Sequence, residues 1–84
     1  MDTKRSNQFK REIKHIKDKK LKQRIKKAIK EIIKNPEKAG KPLKYRKGFK
    51  VKIPPFRIIY KYDKKNDVLE FVKFGHRDKI YKKK

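Results

Sequence analysis

From Phe9 onward the apolar residues recur three and four positions apart: Phe9, Ile13 and Ile16, then Leu21, Ile25, Ala28, Ile29, Ile32 and Ile33. Such spacing lines side chains along one stripe of an α-helix. The phase breaks at "KDKK", residues 17–20. The pattern therefore predicts two helices, about 7–16 and 19–34, joined tightly as an antiparallel hairpin, with Asn35 and Pro36 ending the second. "NPEKAGKPLK", residues 35–44, holds two prolines and a glycine and reads as a loop. The period then changes to two: Phe49, Val51 and Ile53 alternate with Lys50 and Lys52, while Phe56, Ile58, Tyr60 and Tyr62 alternate with Arg57, Ile59 and Lys61. These are two strands. "DKKND", residues 63–67, is a turn, "VLEFVKFG", residues 68–75, a third strand, and "HRDKIYKKK" a short tail. The expected fold is α+β, one domain over residues 1–84, with the helix hairpin packed on one face of a small antiparallel sheet.

Composition narrows the chemistry. A chain of 84 residues with a hydrophobic fraction of 33% has material for one thin core. No window approaches the roughly 18 apolar residues of a membrane span, and the basic start leads into no apolar signal segment, so a cytoplasmic protein is expected. Without cysteine there are no disulfides, thiolates or cysteine zinc sites, and His15 and His76 lie 61 residues apart. Neither metal nor cofactor is expected.

The 31 Lys and Arg against 9 Asp and Glu give a formal charge of +22. That charge attracts polyanions, so nucleic acid and an acidic protein are both candidate partners. A thermophilic or AT-rich source would account for part of the Lys and Ile content. Lysines on the outer helix faces read as solvated surface. The amphipathic helices have a better partner in the strands than in a membrane.

Within "GFKVKIPPFRIIY", residues 48–60, the charge is concentrated. Antiparallel pairing about Pro54 and Pro55 sets Lys52 opposite Arg57, Lys50 opposite Ile59, and Val51 against Ile58 in the core. The three cations then share one face, Lys50 and Lys52 about 7 Å apart. Like charges directly opposed weaken a sheet, so an anionic partner is expected there, the alternative being an ordinary charged outer face. Proline cannot take the positive φ of the usual two-residue hairpin turns, which points to a wider or bulged loop. Residues 38–61 hold nine Lys or Arg and no Asp or Glu.

In this order and spacing, "FKREIKHI", "NPEKAGKPLK", "GFKVKIPPFRIIY" and "VKFGHRDKIY" resemble the RelE-type toxins of the RelE/ParE toxin-antitoxin superfamily, over most of the chain. The resemblance implies a ribosome-dependent mRNA endonuclease acting in the ribosomal A site and held inactive by an acidic RelB-type antitoxin. The implied reaction is metal-free: the ribose 2′-hydroxyl attacks the adjacent phosphate, leaving a 2′,3′-cyclic phosphate and a 5′-hydroxyl. The family's active-face positions fall on Lys50, Lys52, Arg57, Arg77 and Tyr81. By the same resemblance Arg57 clamps phosphate, Lys50 stabilises it and Lys52 acts as base among like charges. Arg77 faces the leaving 5′-oxygen, as proton donor or, more in keeping with a guanidinium, as electrostatic stabiliser. Tyr81 stacks on a base or packs the tail on the sheet. His76 is the alternative proton-transfer group, because imidazole titrates near neutral pH.

The sequence departs from the family at its start. Members begin with an apolar strand, whereas "MDTKRSNQ" is polar throughout, so this strand is either missing or held only by its backbone bonds. Two other functions remain open: a ParE-like, gyrase-directed relative, whose members generally lack the cationic face, and a non-catalytic basic nucleic-acid-binding module, for which charge alone suffices.

Overall fold

The computed structural model describes residues 1–44 and 47–76. In chain order its elements are β1 (Asp2–Arg5), α1 (Asn7–Lys14), α2 (Lys19–Lys34), α3 (Pro36–Ala39), β2 (Lys41–Pro42), β3 (Phe49–Ile53), β4 (Phe56–Asp63) and β5 (Val68–His76). The strands form one sheet in the order β1-β5-β4-β3-β2, with β1 parallel to β5 and the other pairings antiparallel. The expected three-strand meander is thus its centre, and one further strand lies along each edge.

Side-chain caps set the helix starts. Ser6 caps α1 by accepting the Phe9 amide at 3.0 Å, and Asp18 caps α2 by accepting the Lys20 and Leu21 amides. The phase break in "KDKK" is therefore a helix start, since an N-cap oxygen satisfies amides that have no partner in the first turn. Pro36 opens α3, where its missing N–H costs no helical bond. The segment 35–44 expected as loop thus contains a four-residue helix and the two-residue strand β2, which pairs Lys41 with Lys50 and Pro42 with Phe49. Gly48, at φ 133°, turns the chain into β3 where an L side chain would be strained.

Both main helices pack on the same face of the sheet. Phe9 of α1 and Ile25 and Ile32 of α2 are buried with Ile53, Ile58, Tyr60, Leu69, Phe71 and Phe74. α1 lies chiefly on β5, its Phe9 ring stacked on Phe71 at 5.2 Å, while α2 packs against α3 and β3. Among the described residues no helix is long and apolar enough to cross a membrane.

The polar N-terminal strand is present. All four of its side chains are exposed, and it is held by its ladder to β5 and by flanking bonds from the Asp2 amide to Asp67 O and the Ser6 amide to Phe71 O, both 3.0 Å. A strand built this way leaves no hydrophobic alternation in the sequence, because it buries no side chain.

Candidate nucleic-acid interface

The β3–β4 ladder pairs Lys52 with Arg57, Lys50 with Ile59, Val51 with Ile58 and Ile53 with Phe56. This is the register expected from the sequence. The loop is narrower than expected: only Pro54 and Pro55 separate the last pair, and their peptide bond is cis, the isomer a type VI turn carries.

Strand alternation sends Val51, Ile53 and Ile58 into the helix-covered core and Lys50, Lys52 and Arg57 to the opposite face. Lys52 is exposed, and Lys50 and Arg57 are half-buried. Three cations thus converge on a face that carries neither helix, two of them directly opposed across the ladder. Such a pair binds an anion better than it stabilises a sheet.

A β-bulge widens this face. The β4–β5 register shifts between Ile59 and Tyr60, so Ile59 pairs with Lys73 while Tyr60 pairs with Phe71. The extra residue lies on β5 and lets Phe71 and Phe74, three positions apart, both point into the core. Lys73 is thereby turned to the cation face. Lys41, paired with Lys50, joins from the other side. The sequence reading passed over both: Lys41 lay in a segment read as loop, and Lys73 is out of phase with strict alternation. The three-residue step from Phe71 to Phe74 was the available signal for the bulge.

His76 lies elsewhere. It pairs with Phe56, and its ring meets the Phe56 ring edge-on at 5.8 Å, while Phe56 stacks on buried Phe74 at 5.3 Å. The imidazole is therefore on the helix side of the sheet, away from Lys50, Lys52 and Arg57. Its two-residue spacing from Phe74 already carried that information. Arg77 and Tyr81 lie outside the described residues.

Past the end of β1, two α1-side groups hold the bulged edge of β5. The Ser6 hydroxyl donates to Val72 O at 2.6 Å, and Glu12 Oε1 accepts the Phe74 amide at 2.9 Å. Where the β1 edge meets the helices, Thr3, Lys4, Arg5, Lys10 and Ile33 line an open groove of about 640 Å³. Ile33 is a large apolar side chain left 39% exposed among cations.

Comparison with known proteins agrees with this architecture. A family model described as the ParE toxin of type II toxin-antitoxin system, parDE, matches residues 4–81. The intact E. coli RelBE toxin-antitoxin complex contains a similar chain, with a TM-score of 0.76 at 18% identity, covering 89% of this chain and 94% of that one. The RelBE2 toxin-antitoxin complex from Mycobacterium tuberculosis gives 0.74 at 18% identity, covering 90% and 96%. The RelB-RelE antitoxin-toxin complex from Methanococcus jannaschii gives 0.72 at 23% identity, covering 93% and 94%. At these identities the likeness is one of fold. No curated protein sequence matches the chain.

Proposed function

The chain belongs to the family of ParE toxins of type II toxin-antitoxin systems, and we propose that within it this toxin is a ribosome-dependent mRNA endonuclease. The observation that carries this reading is the Lys52–Arg57 pair, with Lys50 beside it, on the sheet face opposite the helices. In the proposed reaction Lys52 takes the proton of a ribose 2′-hydroxyl, whose oxygen attacks the adjacent phosphorus. The bond from phosphorus to the 5′-oxygen breaks, leaving a 2′,3′-cyclic phosphate. Arg57 and Lys50 stabilise the negative charge that builds on the phosphoryl oxygens, where preorganised cations lower the barrier most. Arg77, assigned by family resemblance, stabilises the leaving 5′-oxygen, which takes up a proton from water while Lys52 returns its own to solvent, and Tyr81 stacks on a base. The position of His76 against Phe56 favours Lys52 over the imidazole as proton acceptor.

The partner that restrains the toxin is an acidic antitoxin of the RelB type, as in the toxin-antitoxin complexes of similar fold. A charge of +22 speeds encounter with such a protein, and exposed Ile33 in its cationic groove supplies apolar area to hold it.

The ParE family match favours a second reading, a toxin directed at DNA gyrase. Incubating the protein with a translation extract and, separately, with gyrase and relaxed plasmid distinguishes the two. Cleaved mRNA carrying 2′,3′-cyclic phosphate ends, with supercoiling unaffected, is the expected result. Blocked supercoiling with intact mRNA would replace the nuclease reading by the gyrase one.

A further inference from the structure

The cation face continues beyond the residues assigned above. Lys41 pairs with Lys50, Lys50 with Ile59, and Ile59 with Lys73, so one transverse row crosses four strands as Lys41, Lys50, Ile59, Lys73. With neighbouring strands about 4.8 Å apart, the row spans about 14 Å. Next to it runs a row of Lys52, Arg57 and Gly75, where glycine leaves the surface low beside Arg57. On its other side Lys61 pairs with Glu70 and Glu70 with Lys4, which sets a carboxylate between two lysines. The row therefore lies between the Lys52–Arg57 pair on one flank and the Lys61, Glu70 and Lys4 row on the other.

Opposed like charges weaken a sheet rather than hold it. Lys41 and Lys50 are like charges directly opposed. Among the described residues, ion pairs join the Met1 amino group to Asp67 and Lys64 to Glu37, and neither involves Lys41 or Lys73. The apolar content of the row is Ile59, which is 8% exposed. A protein partner needs apolar area to bury at the centre of its interface, and this row offers almost none. A polyanion whose charges repeat along its length needs only the cations.

We propose that this row is a track for single-stranded RNA running across the strands, with Lys41 and Lys73 holding phosphates that flank the one at Lys52 and Arg57. It rests on the nuclease reading above and adds two positioning residues to it.

The test is fluorescence-anisotropy binding of a 2′-O-methyl RNA oligonucleotide, which cannot be cleaved, over a salt series with the full chain. Lys41→Ala and Lys73→Ala are each expected to weaken binding several-fold. Each should reduce the slope of log affinity against log salt by about 0.7, the share of one single-strand phosphate contact, and the double variant by about 1.4. Lys26→Ala, on the helix side, is expected to leave the slope unchanged. If Lys41→Ala and Lys73→Ala bind as wild type while Lys52→Ala and Arg57→Ala lose affinity, the track is wrong and the RNA-binding face stands. If none of the four changes RNA binding, the track is wrong, and the nuclease reading then stands or falls on cleavage of mRNA in the translation extract, which is a separate measurement. Loss of binding to polyglutamate but not to RNA in the Lys41 and Lys73 variants would make the row a protein-docking surface and overturn the proposal.

Discussion

The Glu12 carboxylate of α1 accepts the Phe74 amide of β5 at 2.9 Å, tying a helix on one side of the sheet to the strand that carries Lys73 on the other. The bond lies beyond the end of β1, where the sheet itself offers that amide no neighbour. Glu12→Ala leaves a partly buried N–H unsatisfied, a loss of about 1 to 3 kcal/mol. Urea denaturation should show that destabilisation, and hydrogen exchange should show faster exchange at Phe74 than at Ile58. An unchanged Phe74 exchange rate would mean the bond does not hold β5.

Lys52 and Arg57 face each other with no intervening residue in the ladder. Removing a group that stabilises only the transition state typically costs about 3 to 4 kcal/mol in the barrier, whereas one charge among 31 alters general affinity modestly. Arg57→Ala and Lys52→Ala should therefore lose mRNA cleavage by a factor of a hundred or more while still binding ribosomes. Single-turnover cleavage on programmed ribosomes at saturating protein measures this directly. Wild-type rates in both variants would reduce the pair to a binding surface.

Gly40 is required by a close approach. A Cβ there would sit 2.7 Å from Tyr60 Oη and 2.8 Å from the Lys50 carbonyl oxygen. The backbone oxygen cannot swing aside, so Gly40→Ala should push β2 away from β3 and destabilise the protein by about 1 to 3 kcal/mol, as overpacking does. A thermal melt unchanged from wild type would show that β2 is not held against β3.

The Tyr60 hydroxyl donates to Pro36 O at 2.7 Å, and burial pushes its pKa above the ordinary 10.0, against the lowering effect of a hydrogen bond from the Gly40 backbone. A raised folded-state pKa means the folded protein retains this proton when the unfolded chain has begun to lose it. The associated stability is complete below pH 10.0 and is lost as pH climbs through the higher folded value. Lysines also discharge in that range and relieve repulsion, so the comparison must be with Tyr60→Phe. That variant should start about 0.5 to 1.5 kcal/mol less stable and show a shallower alkaline decline. Parallel declines would remove Tyr60 as the cause.

Much of this protein was legible in its sequence because the relevant signals are local. Spacings of three and four fix the buried stripe of α2, and alternation over residues 49–62 fixes which side chains of β3 and β4 share a face. The pair of prolines then sets a register that brings Lys52 opposite Arg57. What tertiary structure decided concerns groups whose partners are distant in the chain. β1 buries none of its side chains and exists because residues 67–71 supply its backbone bonds, and β2 forms because β3 lies beside it. The bulge opposite Ile59 arises from burying Phe71 and Phe74 together while keeping the ladder to β4. That choice turned Lys73 outward and His76 inward, because a strand has only two faces and one added residue exchanges them for everything beyond it.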